Sequence, residues 1–145
     1  MNINPMLIQK YLPAQELINR GLHPRRLHGR VIADDSVFKL ARSIYELDKI
    51  KYCIQHFVDG VSWHLLPVEK AQPERYELLD RIYAEAKSTG KFQRCENNIL
   101  VHLRNGEPFF GEGGYHRLAI ALILGLKSVP ADVGLIYNSK HKGGE

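Results

Sequence analysis

The pattern of apolar and polar positions predicts two amphipathic helices in the first two thirds of the chain. Apolar side chains recur at three- and four-residue steps over residues 34–58 and again over residues 73–88, which puts each set on one helical face. The first segment begins with acidic and hydroxyl residues that suit an N-cap, and Asp59-Gly60 offers a stop. A shorter helical piece, interrupted near Pro13, is predicted over residues 5–20. We therefore expect residues 1–96 to be mainly helical.

In the last third of the chain, short apolar runs are separated by turn signals instead. Residues 99–103 have a strand pattern, and Asn105-Gly106 favours a type I′ hairpin because both central positions of that turn take a positive φ. Residues 107–110 would form the returning strand. A compact helix over residues 115–124 and a final strand over residues 129–137 complete the predicted order.

Together these elements predict a single α+β domain, in which a helical N-terminal half packs on a small mixed β-sheet. The length of 145 residues is usual for one domain. Residues 97–137 would hold most of the sheet, and residues 138–145 would be a flexible polar tail. With 44% hydrophobic and 25% charged residues, the composition is that of a folded protein and excludes a disordered chain or a collagen-like fibre.

We expect a soluble, cytoplasmic protein with no membrane partner. The longest apolar run, residues 118–124, is far shorter than the roughly 18 residues of a membrane span. Residues 1–15 lack the continuous apolar centre of a secretory signal. The two cysteines, Cys53 and Cys95, are too few for a disulfide framework and indicate a reducing compartment. Cys53 is expected to be a packed thiol and Trp63 a core anchor.

The positive charge is unevenly distributed along the chain. A formal net charge of +4 is too mild to argue for a nucleic-acid partner by itself. Residues 20–30, which we name the basic stretch, nevertheless concentrate basic side chains. Its members are Arg20, His23, Arg25, Arg26, His28 and Arg30. Such a run is either a solvated loop or a surface that faces a polyanion, so nucleic acid is one of two interpretations.

Candidate chemistry is concentrated at residues 111–117, where a predicted strand leads into a helix through Gly-Glu-Gly-Gly-Tyr-His-Arg. A helix start exposes unpaired N–H groups and the positive end of the dipole, and glycines before it let a phosphate approach the backbone. Arg117 can contact phosphate oxygens in a bidentate manner, and His116 can donate to phosphate or exchange a proton. Glu112 would bind a cation or act as a base. The pattern predicts an anion site.

Each of these features also has a purely structural interpretation. The glycines can form a tight turn and nothing more, and His116 can cap a neighbouring carbonyl. Arg117 can pair with Glu112. The other histidines lack the spacing of a zinc site, so no structural zinc is predicted.

Residues 109–119 and 124–131 resemble the shared core of the ParB N-terminal/sulfiredoxin superfamily, in which a G-x-H-R-like turn opens a helix and a short strand with a proline near its start follows. The resemblance covers residues 97–137, and before them only a possible strand at residues 29–32 matches. It implies a nucleotide-phosphate site at the helix start, since ParB-type members bind CTP, sulfiredoxin binds ATP and a free serine kinase of the group uses ADP. The positions of the phosphate-binding turn are Gly113, Gly114, His116 and Arg117, with Tyr115 between them.

The chain also departs from the best-known members of that superfamily. Sulfiredoxin has its reactive cysteine just before the His-Arg pair, where this chain has Tyr115, and Cys95 lies before the hairpin, so sulfiredoxin chemistry is not expected. Partition proteins continue into a helix-turn-helix and a dimerisation domain, whereas only residues 138–145 follow the core here. Kinase-like members use an acidic base, for which Glu112 and Asp59 are the candidates.

The leading hypothesis is a nucleotide-binding domain that takes ATP, ADP or CTP, with or without Mg²⁺, and acts as a phosphotransferase or nucleotide hydrolase. Glu112 and His116 are the predicted catalytic residues: Glu112 would hold Mg²⁺ or activate the attacking hydroxyl, and His116 would hydrogen-bond a phosphate oxygen. Two alternatives stay open. One is a non-enzymatic DNA-binding module that uses the basic stretch, and the other is a degenerate member of the superfamily with a structural or interaction role.

Overall fold

Short strands and helices alternate along the chain in the computed structural model. It describes residues 1–22, 30–31, 35–60, 63–64, 73–93 and 98–137. In chain order the elements are β1 (Asn2–Ile3), a 3-10 turn (Pro5–Leu7), β2 (Lys10–Tyr11), α1 (Ala14–Asn19), β3 (Arg30–Val31), a 3-10 segment (Asp35–Leu40), β4 (Arg42–Ser43), a 3-10 turn (Ile44–Glu46), α2 (Asp48–Val58), α3 (Pro73–Thr89), β5 (Ile99–Arg104), β6 (Glu107–Phe110), α4 (Tyr115–Leu124) and β7 (Val129–Tyr137).

The described strands form one mixed sheet with β5 near its centre. The order across the sheet is β1-β7-β5-β6-β2-β4, and β3 also pairs with β7. Strand β5 runs parallel to β7 and antiparallel to β6, while β2 runs parallel to β6 and antiparallel to β4. On the outer edge of β7, β1 is antiparallel and β3 is parallel. Helices together with this mixed sheet confirm the predicted α+β class.

The elements predicted for the last third of the chain are confirmed. Asn105 and Gly106 take φ values of 50° and 82°, as a type I′ turn requires, and they join β5 to β6 with Arg104 opposite Glu107. The helix and the last strand have the predicted bounds. These local signals gave the correct prediction because each turn residue allows few alternative backbone conformations.

The prediction that residues 1–96 are mainly helical is wrong in part, because four short strands from this region join the sheet. The helix predicted over residues 34–58 is broken into the 3-10 segment, β4, a second 3-10 turn and α2. The piece predicted over residues 5–20 is likewise a 3-10 turn, β2 and α1. Helix α3 agrees with its prediction, and α2 ends where Asp59-Gly60 signalled a stop.

The break before α2 has a local cause, which the regular spacing of the apolar side chains does not reveal. The Ser43 hydroxyl accepts the Tyr45 N–H at 3.2 Å, and the Glu46 carboxylate accepts the Ser43 N–H at 3.0 Å, which forms a capping box. Residues 42–43 are extended and pair with β2. The capping box therefore starts a new turn at residue 44, and the sheet edge holds the preceding residues straight.

The sheet is covered on both sides, because neighbouring residues of a strand point to opposite faces. On one face, Phe110 and alternate residues of β5 pack with α2 and α4 in the larger core. On the other, Phe109 packs with side chains from α1 and the 3-10 segment. Trp63 and Cys53 lie in the larger core as predicted, and burial raises the pKa of the Cys53 thiol to about 12.

Several predictions concern residues outside the described ranges. Among them are Cys95, most of the basic stretch and the tail at residues 138–145. The strand suggested around residues 29–32 is confirmed for residues 30–31, which form β3. None of the helices in the described part of the chain has the length and apolar character to cross a membrane.

His102 on β5 is the one buried residue in the described ranges whose side-chain nitrogens have no partner there at all. It is fully buried, and a Cβ added to Gly111 would come within 2.8 Å of its Nε2 atom. Burial lowers the pKa of this imidazole to about 4. The ring is therefore neutral at neutral pH, since a buried charge without a partner would be costly.

We expect the stability of the protein to fall as the pH drops from about 6.5 to about 4. The unfolded chain protonates His102 near pH 6.5, whereas the folded protein resists protonation down to about pH 4. The neutral His102 ring contributes fully to the free energy of unfolding above pH 6.5. Up to about 3 kcal/mol of that free energy is lost between pH 6.5 and pH 4. Urea unfolding at pH 5 and pH 7 measures the loss. His102→Leu removes the titrating ring, so this variant should lose less stability on acidification, and an unchanged loss would contradict the assignment.

Candidate functional site

The loop between β6 and α4 lies directly against the first residues of β5. The Gly111 N–H donates to the Leu100 carbonyl at 2.8 Å, and the Leu100 N–H donates to the Gly113 carbonyl at 2.9 Å. Gly114 has a φ of +87°, and a Cβ there would lie 3.0 Å from the Cα atom of Ile99. Gly114 is therefore required by the conformation of this loop and by its contact with β5.

Helix α4 begins immediately after that loop, at Tyr115. Gly114 stands at the N-cap, so no side chain caps the helix, and no acidic residue lies in its first turn. The Leu118 N–H already donates to the Gly114 carbonyl at 3.0 Å. The N–H groups of the first turn and the positive end of the dipole can thus bind an anion.

His116 and several basic side chains surround this helix start. The imidazole is half-buried and meets the Trp63 ring edge-on, with 6.4 Å between ring centroids. Burial, together with the nearby positive charges of Arg75 and Lys49 and an electrostatic interaction with His64, lowers the pKa of His116 to about 4. At neutral pH the ring is neutral, and the positive potential around it disfavours protonation.

Aromatic and polar contacts hold His64 in place beside the same helix start. Its Nε2 atom lies 3.0 Å from Oδ1 of Asp80 on α3, and its ring packs on Trp63 and Tyr76 at centroid distances of 4.2 Å. Trp63 in turn stacks on Tyr83 at 5.4 Å. Residues 63–64 are thereby fixed against α3 and close to α4.

Glu112 does not point to the basic side chains but to the start of α1. Its carboxylate accepts hydrogen bonds from the Ala14 N–H, through Oε2, and from the Tyr115 hydroxyl, through Oε1 at 3.0 Å. The Lys49 ammonium lies 4.5 Å from the centre of the Tyr115 ring. Burial and the Glu112 charge raise the pKa of Tyr115, which keeps its hydroxyl protonated as the donor.

The Arg117 side chain extends from the helix start towards Phe92. Its guanidinium lies over the Phe92 ring, 5.6 Å from the centroid. It borders a depression of about 200 Å³ between α3 and α4, whose walls include Ile82, Ala86 and Lys91. The described residues contain no Arg117–Glu112 ion pair, so that structural interpretation of the two residues is wrong.

The predicted site residues are therefore only partly brought together. Gly113, Gly114 and His116 lie at the helix start, whereas the Glu112 carboxylate contacts Ala14 and Tyr115 and the Arg117 guanidinium lies over Phe92. Lys49, Arg75 and Asp80 were not predicted, since they are single residues on other helices with no motif around them. Among the described residues, no group of three or more His, Cys, Asp or Glu side chains could hold a metal ion.

Comparisons with protein-family models, with curated proteins and with solved structures give no match for this chain. The resemblance to the ParB N-terminal/sulfiredoxin superfamily therefore rests on the residues quoted above and on their strand–turn–helix–strand order.

Replacing Gly114 by alanine is expected to destabilise the protein by about 1–3 kcal/mol, because the Cβ needs a strained φ and presses on the β5 backbone. Gly21 is a matched control: its φ of +78° is similar, but a Cβ there meets nothing within 4 Å. Urea unfolding of Gly114→Ala and Gly21→Ala separates the cost of the strained φ, which both variants have, from the cost of the contact with Ile99, which only Gly114→Ala has. Equal losses would mean that the contact with Ile99 has no part in the requirement for glycine.

Proposed function

We propose that this protein binds the phosphate groups of a nucleotide at the start of α4. The observation that supports this best is the uncapped helix start next to the basic side chains of Lys49 and Arg75, whose charges act on His116. An anion there would accept hydrogen bonds from the first-turn N–H groups and would be attracted by Lys49 and Arg75. Since Gly114 has no side chain, it leaves the approach to these N–H groups open.

In this proposal, the neutral His116 imidazole becomes protonated when the ligand binds. A phosphate reverses the local potential, which raises the pKa of the imidazole and allows it to donate a charge-assisted hydrogen bond. Arg117 is on the first turn of the same helix and would reach a phosphate oxygen by leaving the Phe92 ring. The charge of the ligand is thus balanced by backbone dipoles and by basic side chains from α2, α3 and α4.

The ligand class follows from the resemblance and is part of the proposal: ATP, ADP or CTP, in the cytoplasm. Mg²⁺ would accompany the nucleotide through phosphate oxygens and water, as it needs few protein ligands. A phosphotransferase or nucleotide hydrolase fits this arrangement, because phosphoryl transfer depends mainly on positioning and charge stabilisation. The DNA-binding alternative would use the basic stretch, whose first member, Arg20, donates to the Ser36 hydroxyl at 3.3 Å.

We expect one nucleotide among ATP, ADP and CTP to stabilise the folded protein and Arg117→Ala to weaken that effect. A ligand at about 100 times its Kd should add roughly 2.7 kcal/mol to the free energy of unfolding. Thermal unfolding with and without each nucleotide measures this, with Arg81→Ala as a control because Arg81 is exposed on α3. If no nucleotide at millimolar concentration shifts the transition, the proposal fails. DNA binding that weakens steeply with salt would then favour the alternative.

Binding of the same nucleotide should also raise the pKa of His116 above its value of about 4 in the free protein. The bound state then holds more protons than the free state at mildly acidic pH, so affinity should rise as the pH falls from 7 towards 5. Titration of the His116 ring by NMR, with and without ligand, measures this directly. Because the nucleotide itself also protonates, the comparison is with His116→Asn, which should show the smaller rise. An imidazole pKa that is unchanged by ligand would contradict the contact.

A further inference from the structure

The two oxygens of the Glu112 carboxylate are both occupied by groups from other elements. Oε2 accepts the N–H of Ala14, the first residue of α1, and Oε1 accepts the hydroxyl of Tyr115, the first residue of α4. The N-cap of α1 is Pro13, whose side chain makes no capping hydrogen bond. Glu112 therefore supplies a cap that α1 lacks and at the same time links α1 to α4.

The backbone of Glu112 is strained in a way that this link explains. Its φ is 60°, in the left-handed region that few residues other than glycine adopt. Such a conformation persists only when surrounding contacts hold it. Here the contacts act on both sides of the loop: the carboxylate is fixed at α1 and α4, and the flanking glycines are hydrogen-bonded to Leu100 of β5.

We propose that Glu112 is a positioning residue, whose carboxylate bridges Ala14 and Tyr115 and so fixes the loop that presents the first-turn N–H groups of α4. The inference rests on the proposed function, in which those N–H groups bind phosphate. It gives Glu112 a different role from that of a base or a Mg²⁺ ligand. Either of those roles requires a carboxylate oxygen that can reach the substrate or the ion, and both oxygens face structural donors instead.

Substitutions at residue 112 can separate the two kinds of role. Glutamine keeps an oxygen that accepts from Ala14 and an amide that donates to the Tyr115 oxygen, so it can preserve the bridge. Alanine removes the bridge altogether. Both substitutions remove one negative charge, so the difference between them does not include the long-range repulsion between that charge and the phosphate. Neither variant can act as a base or bind Mg²⁺ strongly.

The bridge can also be broken by a substitution in α1, which leaves the sequence of the loop unchanged. Ala14→Pro removes the donor N–H, and proline is well tolerated at the first position of a helix. Glu107→Ala is a matched control, because Glu107 is an exposed acid at the start of β6.

The experiment measures the Kd of ATP by calorimetry, with Mg²⁺ and with EDTA, and amide hydrogen exchange of residues 111–114. We expect Glu112→Ala and Ala14→Pro to weaken ATP binding about tenfold and to accelerate exchange, in both buffers. Glu112→Gln should stay within about threefold of the original protein, because it keeps both hydrogen bonds of the bridge. Glu107→Ala should change neither quantity.

Three results would overturn the proposal. Equal loss in Glu112→Gln and Glu112→Ala with Mg²⁺ but not with EDTA, and no effect of Ala14→Pro, would indicate a metal ligand. A lower unfolding temperature with unchanged Kd and exchange would indicate a cap that serves stability alone. If the original protein does not bind ATP, the proposed function fails, and the exchange rates still decide: unchanged exchange in Glu112→Ala and Ala14→Pro overturns the bridge as well.

Discussion

The turn before α4 exists in its present form because two glycines let it lie against the first residues of β5. A Cβ at Gly111 would collide with the side chains of His102 and Leu100, and one at Gly114 would press on the backbone of Ile99. The contact fixes where α4 begins and which way its first N–H groups face. A bulkier residue at either position would move the helix start away from the central strand and change the larger core beneath it.

The direction of α4 then determines which side chains meet at its start. Because α4 packs against both α2 and α3, basic residues from each of these helices reach the same end of it. Lys49 comes from α2 and Arg75 from α3, and each adds positive potential at His116. The electrostatic character of the site is thus a property of three packed helices rather than of the Gly-rich loop alone.

Signals that act over a few residues allowed the last third of the chain to be predicted well. The Asn105-Gly106 turn, the glycines around α4 and the apolar run inside it each restrict the backbone on their own. The first 60 residues were less predictable, because the apolar period of residues 34–58 persists across extended and 3-10 segments and says only which side chains are buried. Two-residue strands such as β2 and β4 form because a sheet edge is available, and that depends on distant residues.

The candidate site shows the same difference between features set by local sequence and features set by distant residues. Gly113, Gly114, His116 and Arg117 could be found from the sequence because a Gly-rich turn before a helix has a physical meaning by itself. The orientations of Glu112 and Arg117 could not, since each is set by a partner far away in the chain: Ala14 for the first and Phe92 for the second. A free Glu112 carboxylate beside the helix start would oppose an incoming phosphate. By accepting the Ala14 N–H and the Tyr115 hydroxyl, the carboxylate places its charge against two donors, so the contact that shapes the loop would also weaken that opposition.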